Sequence, residues 1–183
     1  MGEHPNSAAS AFQREWAQHH GGRYPLGWLL REDTSLPWVR FHALPDSKRY
    51  AQNNRERRIV LDRANSLGNR LLGRGGSCWL VEANPDKIED DAIFGGAYTP
   101  VDPDDRHCSF YARAVEWQPE AFDALIAKIA DDITGPTLWM NRETGSLFAP
   151  YDGGFDCFPT SWDEVSALRV SLVAWLSSHP DGL

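Results

Sequence analysis

Three short apolar segments near the carboxyl end follow one another with only turns between them, and this succession limits the fold more than any other feature. Thr137 to Met140 and Ser146 to Ala149 flank Asn-Arg-Glu-Thr-Gly145, a five-residue loop with glycine last that reads as a hairpin connection. A second turn, Pro150 to Gly154, leads straight into Phe155 to Phe158. Strands joined by such turns pair as hairpins, and no helix lies between them to make a crossover.

The rest of the chain alternates less regularly. Ser10-Ala-Phe-Gln13 has the form of a capping box, Phe12 and Trp16 share a helix face, and Gly21-Gly22 stops that helix. Gly27 to Arg31 and Trp38 to Leu44 read as strands around the turn-rich Glu32-Asp-Thr-Ser-Leu-Pro37. In the second of these, alternation sets Val39, Phe41 and Ala43 on one face and Trp38, Arg40 and His42 on the other. Asn54 to Leu72 carries Val60, Ala64, Leu67 and Leu71 at helical spacing and ends at Gly73.

Cys78 to Ala83 and Ser109 to Trp117 read as strands, and Asn84 to His107 as a long loop around a short strand near Ala92 to Tyr98. Pro119 opens a helix whose apolar stripe is Phe122, Leu125, Ile126, Ile129 and Ile133. Ser161-Trp-Asp-Glu164 is another capping box, before a stripe of Val165, Leu168, Leu172 and Trp175 or Leu176. The expected class is α+β: a mixed or antiparallel sheet with about four helices, packed mainly on one face. The expected organisation is a single domain over residues 1–183 with an unstructured head at 1–9.

Composition narrows the function classes. Hydrophobic residues at 42% and charged residues at 24% are a globular balance. The formal charge of -8 argues against nucleic-acid binding, which needs a basic footprint. That charge is lopsided: residues 1–92 hold 13 Lys/Arg against 12 Asp/Glu, whereas residues 93–183 hold 5 against 14. An acidic half steers basic partners as well as serving solubility. No apolar run reaches the roughly 20 residues of a membrane span. The amino end lacks a secretory pattern, and Cys78, Cys108 and Cys157 have no paired spacing, so the expected setting is cytoplasmic. Neither a metal nor another cofactor is expected.

Motifs for common chemistries are missing: there is no Walker-type loop, paired-His zinc helix or nucleophile elbow. Gly73-Arg-Gly-Gly76 lies between a helix and a strand, the reverse of what a dinucleotide loop requires. Two constellations supply candidate ligand-binding residues. Arg40 and His42 precede Pro45-Asp-Ser-Lys-Arg-Tyr50, so that Ser47, Lys48, Arg49 and Tyr50 join them as donors for a phosphate or carboxylate. Tyr151, Asp152 and Asp156 surround a Gly-Gly turn, where paired carboxylates serve either as turn acceptors or as an acid/base pair. A third, Asp102-Pro-Asp-Asp-Arg-His107 with Cys108, lacks the spacing of a metal loop.

The segments Phe148 to Asp156, Trp175 to Leu183 and His42 to Tyr50 are similar to those of small uncharacterised bacterial proteins that share a Pro-Tyr-Asp-Gly-Gly-x-Asp turn and a Trp-Leu-Ser tail. The resemblance spans most of residues 25–183 and implies a bacterial cytosolic origin, but no activity. The residues support first a non-enzymatic protein that docks a macromolecular partner, as immunity proteins dock basic toxins. The alternative is a small enzyme or sensor for a phosphorylated or nucleotide-like ligand. It would use Arg40, His42, Lys48 and Arg49 as an anion clamp, with Asp152 or Asp156 as acid/base. Convergence of Asp152 and the basic cluster on one pocket favours the alternative, and a flat acidic face favours docking.

Overall fold

The structure, a computed structural model, describes residues 5–100 and 107–176, with side chains from Ala8 onward. The acids Asp102, Asp104 and Asp105 and the tail from Ser177 to Leu183 lie outside the described residues. Helix α1 is Pro5–His20 and α2 Gly27–Leu30; strand β1 is Val39–His42; α3 is Asn54–Leu72. Strands β2 Ser77–Ala83, β3 Ile93–Tyr98 and β4 Cys108–Glu116 follow, then α4 Asp123–Ala130. Strands β5 Thr137–Asn141, β6 Leu147–Tyr151 and β7 Gly154–Phe158 form the expected meander, and α5 is Trp162–Ser171. Because α1 starts at Pro5, residues 5–9 of the expected unstructured head are helical, and only 1–4 are left outside.

All seven strands join one antiparallel sheet in the order β1-β7-β6-β5-β2-β4-β3. The class is α+β. Apolar clusters lie on both faces. One, under α3, α4 and α5, gathers Trp117, Trp139, Phe148 and Phe155 with Val60, Leu67 and Ile126. The other, under α1 and α2, holds Phe12, Leu26, Trp79, Phe110, Met140 and Phe158. A strand buried on both faces needs apolar residues at nearly every position, since successive side chains point opposite ways. That is why β5 and β6 read as nearly continuous apolar runs, and why Asp156 is the exception in β7. β1 is an edge strand, and a single antiparallel bridge from Phe41 to Leu176 covers its outer side.

Two segments differ from the sequence expectation. Gly27–Leu30 is one helical turn rather than a strand, since a short apolar run carries no periodicity to separate the two. α4 spans Asp123–Ala130 rather than Pro119 to Ile133: Glu120 takes φ 68° in a turn before it, Asp132 takes φ 55° after it, and Ile133 is exposed. The Ser161 capping box is as read, but Ser10 lies inside α1, which starts at Pro5, so Ser10-Ala-Phe-Gln13 opens no helix; Asn53, not singled out from sequence, caps α3. Asn53 accepts from the Glu56 N–H at 3.0 Å, and Ser161 from that of Glu164 at 3.2 Å, each stopping an orphan donor of the first turn.

Helix α3 docks where it has no side chain. The indole of Trp117, fully buried, lies against Gly68, and its Nε1 donates to Asn69 Oδ1 at 3.0 Å. A Cβ at position 68 would overlap the ring. Gly to Ala inside a helix ordinarily gains about 1 kcal/mol. Here Gly68→Ala is expected to lose about 1–3 kcal/mol through overpacking, read as a lower urea midpoint.

α1 is fastened to the β5–β6 hairpin loop. Glu15 accepts from Arg142 Nε at 2.8 Å and Nη2 at 3.0 Å, and from Trp79 Nε1 at 2.7 Å. His20 donates from Nε2 to the Gly145 carbonyl at 2.9 Å, so Nδ1 is the unprotonated nitrogen, buried and, among the described residues, without a partner. Burial first, then the charges of His19 and Arg23, push His20 down to about 4, against the pull of the Gly145 bond. A base with a lowered folded pKa favours folding above its unfolded value and loses that contribution as pH falls. Stability is therefore expected to drop by on the order of 2–3 kcal/mol from about pH 6.5 toward pH 4. Urea midpoints across that window should show the loss, and His20→Gln should flatten it.

Candidate functional site

Strand alternation places Val39, Phe41 and Ala43 in the core beneath α3 and α5, and turns Arg40 to the opposite face. There Arg40 stands directly across from Asp156 of β7, with Ala149 of β6 next in the row. Asp156 is only 2% exposed. Its Oδ1 accepts from Arg40 Nε and from Trp38 Nε1, each at 3.0 Å. Its Oδ2 takes longer contacts of 3.5 Å from Arg40 Nη2 and from Arg31 Nη1, the residue that ends α2. The Arg40 guanidinium lies between two rings, Tyr151 at 4.8 Å and Trp38 at 5.6 Å. Two arginines thus share one sealed carboxylate, and the floor of the site carries a surplus positive charge.

The mouth is built from the β6–β7 turn and the segment before α3. Asp152-Gly153 is a two-residue loop closed by the Tyr151–Gly154 pair, with Gly153 at φ 101° as a type II turn demands. The expected acceptance of turn backbone by Asp152 does not occur. Its carboxylate instead takes Arg49 (Nε 2.7 Å, Nη2 2.6 Å) and the Tyr50 hydroxyl (2.7 Å), because residues 49 and 50 lie over the turn. The Asp152 bond raises the Tyr50 phenol above its usual value. Burial pushes Tyr151 to about 12, with the Arg40 charge pulling the other way, so its hydroxyl stays a neutral donor.

Between these groups lies a cavity of about 380 Å³. Arg31, Arg40, Arg49, Asp132, Asp152 and Asp156 supply its charges, with Trp28 and Tyr151 as aromatic walls. Of the residues singled out from sequence, Arg40, Arg49, Tyr151, Asp152 and Asp156 line it, and Tyr50 braces its rim. The others turn elsewhere. Lys48 pairs with Glu56 of α3 at 2.7 Å, and Ser47 meets His42 Nε2 at 3.2 Å. Burial, then the Arg40 and Arg63 charges, holds His42 low. Sequence reading missed Trp28, Arg31 and Asp132; it placed Trp38 beside Arg40 by alternation without assigning it to the site.

Of the three carboxylates that line the cavity, Asp152 and Asp156 are committed to donors, and Asp132 lies exposed. Asp156 is surrounded by N–H donors, and Asp152 by Arg49 and Tyr50. Besides Asp132, the cavity presents guanidinium N–H groups that Asp152 and Asp156 do not use up. Among the described residues, no cluster of three or more His, Cys, Asp or Glu is placed to hold a metal ion. Likewise no described helix is long and apolar enough to cross a membrane.

Removing Asp156 would leave Arg40, with an 8% exposed side chain, as an uncompensated buried cation. Asp156→Ala is expected to cost about 3–5 kcal/mol. Asp152→Asn should cost about 1 kcal/mol or less, since Arg49 is 65% exposed and exposed pairs contribute little. Denaturant midpoints of the two variants, compared side by side, check this order.

A family model described as Domain of unknown function (DUF3885) matches residues 26–180, a stretch that includes every strand and all of the cavity's charged residues. No curated protein and no solved structure matches the chain.

Proposed function

We propose, for a chain that belongs to the DUF3885 family, a binding rather than catalytic role: a receptor for a small anionic ligand of the phosphorylated or nucleotide-like class. The single observation that carries this reading is the sharing of Asp156 between Arg31 and Arg40. One carboxylate cannot satisfy two guanidinium groups, and Arg31 holds it only at 3.5 Å. The remaining N–H donors suit the oxygens of a phosphate or carboxylate, which guanidinium groups recognise in forked geometry. Trp28 gives the ligand a flat apolar surface, and Arg49, tethered to Asp152 at the mouth, is a second cation within the same cavity.

The commitment of Asp152 and Asp156 to arginine, tyrosine and tryptophan donors speaks for recognition over acid/base catalysis at these two residues. Three free, buried cysteines fit the reducing interior of a bacterial cell as its setting. Docking of a basic macromolecular partner is the second reading. It draws on the imbalance of 5 basic against 14 acidic residues in positions 93–183.

Thermal denaturation with nucleoside mono- and diphosphates, sugar phosphates and dicarboxylates separates the two. At least one anion should raise the melting temperature by several degrees at saturating concentration. Arg31→Met should abolish that rise while leaving the free protein folded, because Arg31 is partly exposed and its ion pair is long. No rise with any anion at millimolar concentration overturns the receptor reading and leaves docking.

A further inference from the structure

The sheet face under α4 holds a second cavity, of about 310 Å³, with a different electrostatic problem. Glu82 of β2 and Arg113 of β4 both point into it. The register pairs Leu80 with Arg113 and Glu82 with Tyr111, so the two charged residues are diagonal neighbours on one face, about 7–8 Å apart at the backbone. They form no ion pair. Among the described residues Arg113 makes no hydrogen bond, and its Nε is sealed from solvent without a partner. Glu82 likewise has no hydrogen bond there, and burial raises its carboxyl above the usual range, against the pull of Arg113 and Lys128.

Other acids and bases that lie close in this protein do pair: Arg40 with Asp156, Glu15 with Arg142, Lys48 with Glu56. Glu82 and Arg113 differ: they share one cavity, each half-buried, with the Arg113 Nε sealed, and neither reaches the other. A charge drawn partly out of water without a partner costs free energy, and a molecule that pairs it recovers that cost. Such a molecule must donate to Glu82 and accept from Arg113 at once. A multiply charged anion meets repulsion from Glu82, Asp86 and Glu89 in the walls, and a simple cation meets it from Arg113 and Lys128. Leu125, Ala124 and Pro85 complete the lining with apolar surface.

We propose that this cavity binds a small zwitterion of the α-amino-acid class, with its ammonium on Glu82, its carboxylate on Arg113 and Lys128, and an aliphatic side chain against Leu125. The volume admits one such molecule, at the small end of ligand cavities. The proposal is independent of what occupies the Asp156 cavity.

Calorimetric titration and thermal denaturation of the full chain with the common L-amino acids test it. Each amino acid is accompanied by the matching amine without the carboxylate and the matching acid without the ammonium. At least one aliphatic L-amino acid should bind and stabilise, and neither of its truncated analogues should. Glu82→Gln and Arg113→Met should each weaken binding at least about tenfold, while Arg31→Met leaves it intact. Because each variant removes an unpaired charge, the melting temperature of the free protein should hold or rise. Failure of every amino acid at millimolar concentration overturns the proposal, as does equal binding of an amine or acid analogue. So does a lowered melting temperature of both free variants, which would mean that the fold itself uses these charges.

Discussion

A carboxylate with almost no exposed surface has to be neutralised within the protein, and Asp156 sets the terms for everything around it. It lies in β7, which is buried on both faces, so its charge cannot reach water along the strand. Arg40 meets it from β1, Trp38 from the segment before β1, and Arg31 from the end of α2. Three pieces of chain from the amino-terminal part are therefore held against the carboxyl-terminal meander by one acid. The cavity is the space these donors leave once they have gathered around it.

The two faces of the sheet divide the labour. Under α3, α4 and α5 the packing is aromatic and dry, with Trp117, Trp139, Phe148 and Phe155 in successive contact. The same strands send Arg40, Asp156 and Tyr151 to the other face, where α2 is a single turn and covers little. A rigid core on one side thus fixes polar groups on the other through alternation alone, a sound basis for a binding site because strands position side chains more closely than loops do.

What the sequence disclosed follows from how local each signal is. The hairpin turns, the apolar stripe of α3 and the Ser161 box depend on neighbours within a few residues, and all were readable. α2 was not, because Gly27 to Leu30 is apolar throughout and too short to express a period. The overrun of α4 came from Ile133, which continues the stripe, while the chain has already turned away at Asp132. For the site, residue chemistry was legible and pairing was not: Arg40, Arg49, Asp152 and Asp156 were singled out, yet nothing near Lys48 announced that it belongs to Glu56. Arg31 escaped because its element was misread, and Asp132 because it was counted as the end of a helix.

The pairing of β1 with β7 joins residues more than a hundred positions apart, since Arg40 and Asp156 are separated by 116. Closing so long a loop is entropically slow compared with forming a hairpin, so local contacts such as the β5–β6–β7 meander reward the chain earlier. The cavity therefore needs both the stretch that holds Arg31 and Arg40 and the β6–β7 hairpin, and a fragment that lacks either does not carry it. Its occupancy by a ligand reports, by mass action, on the completeness of folding itself.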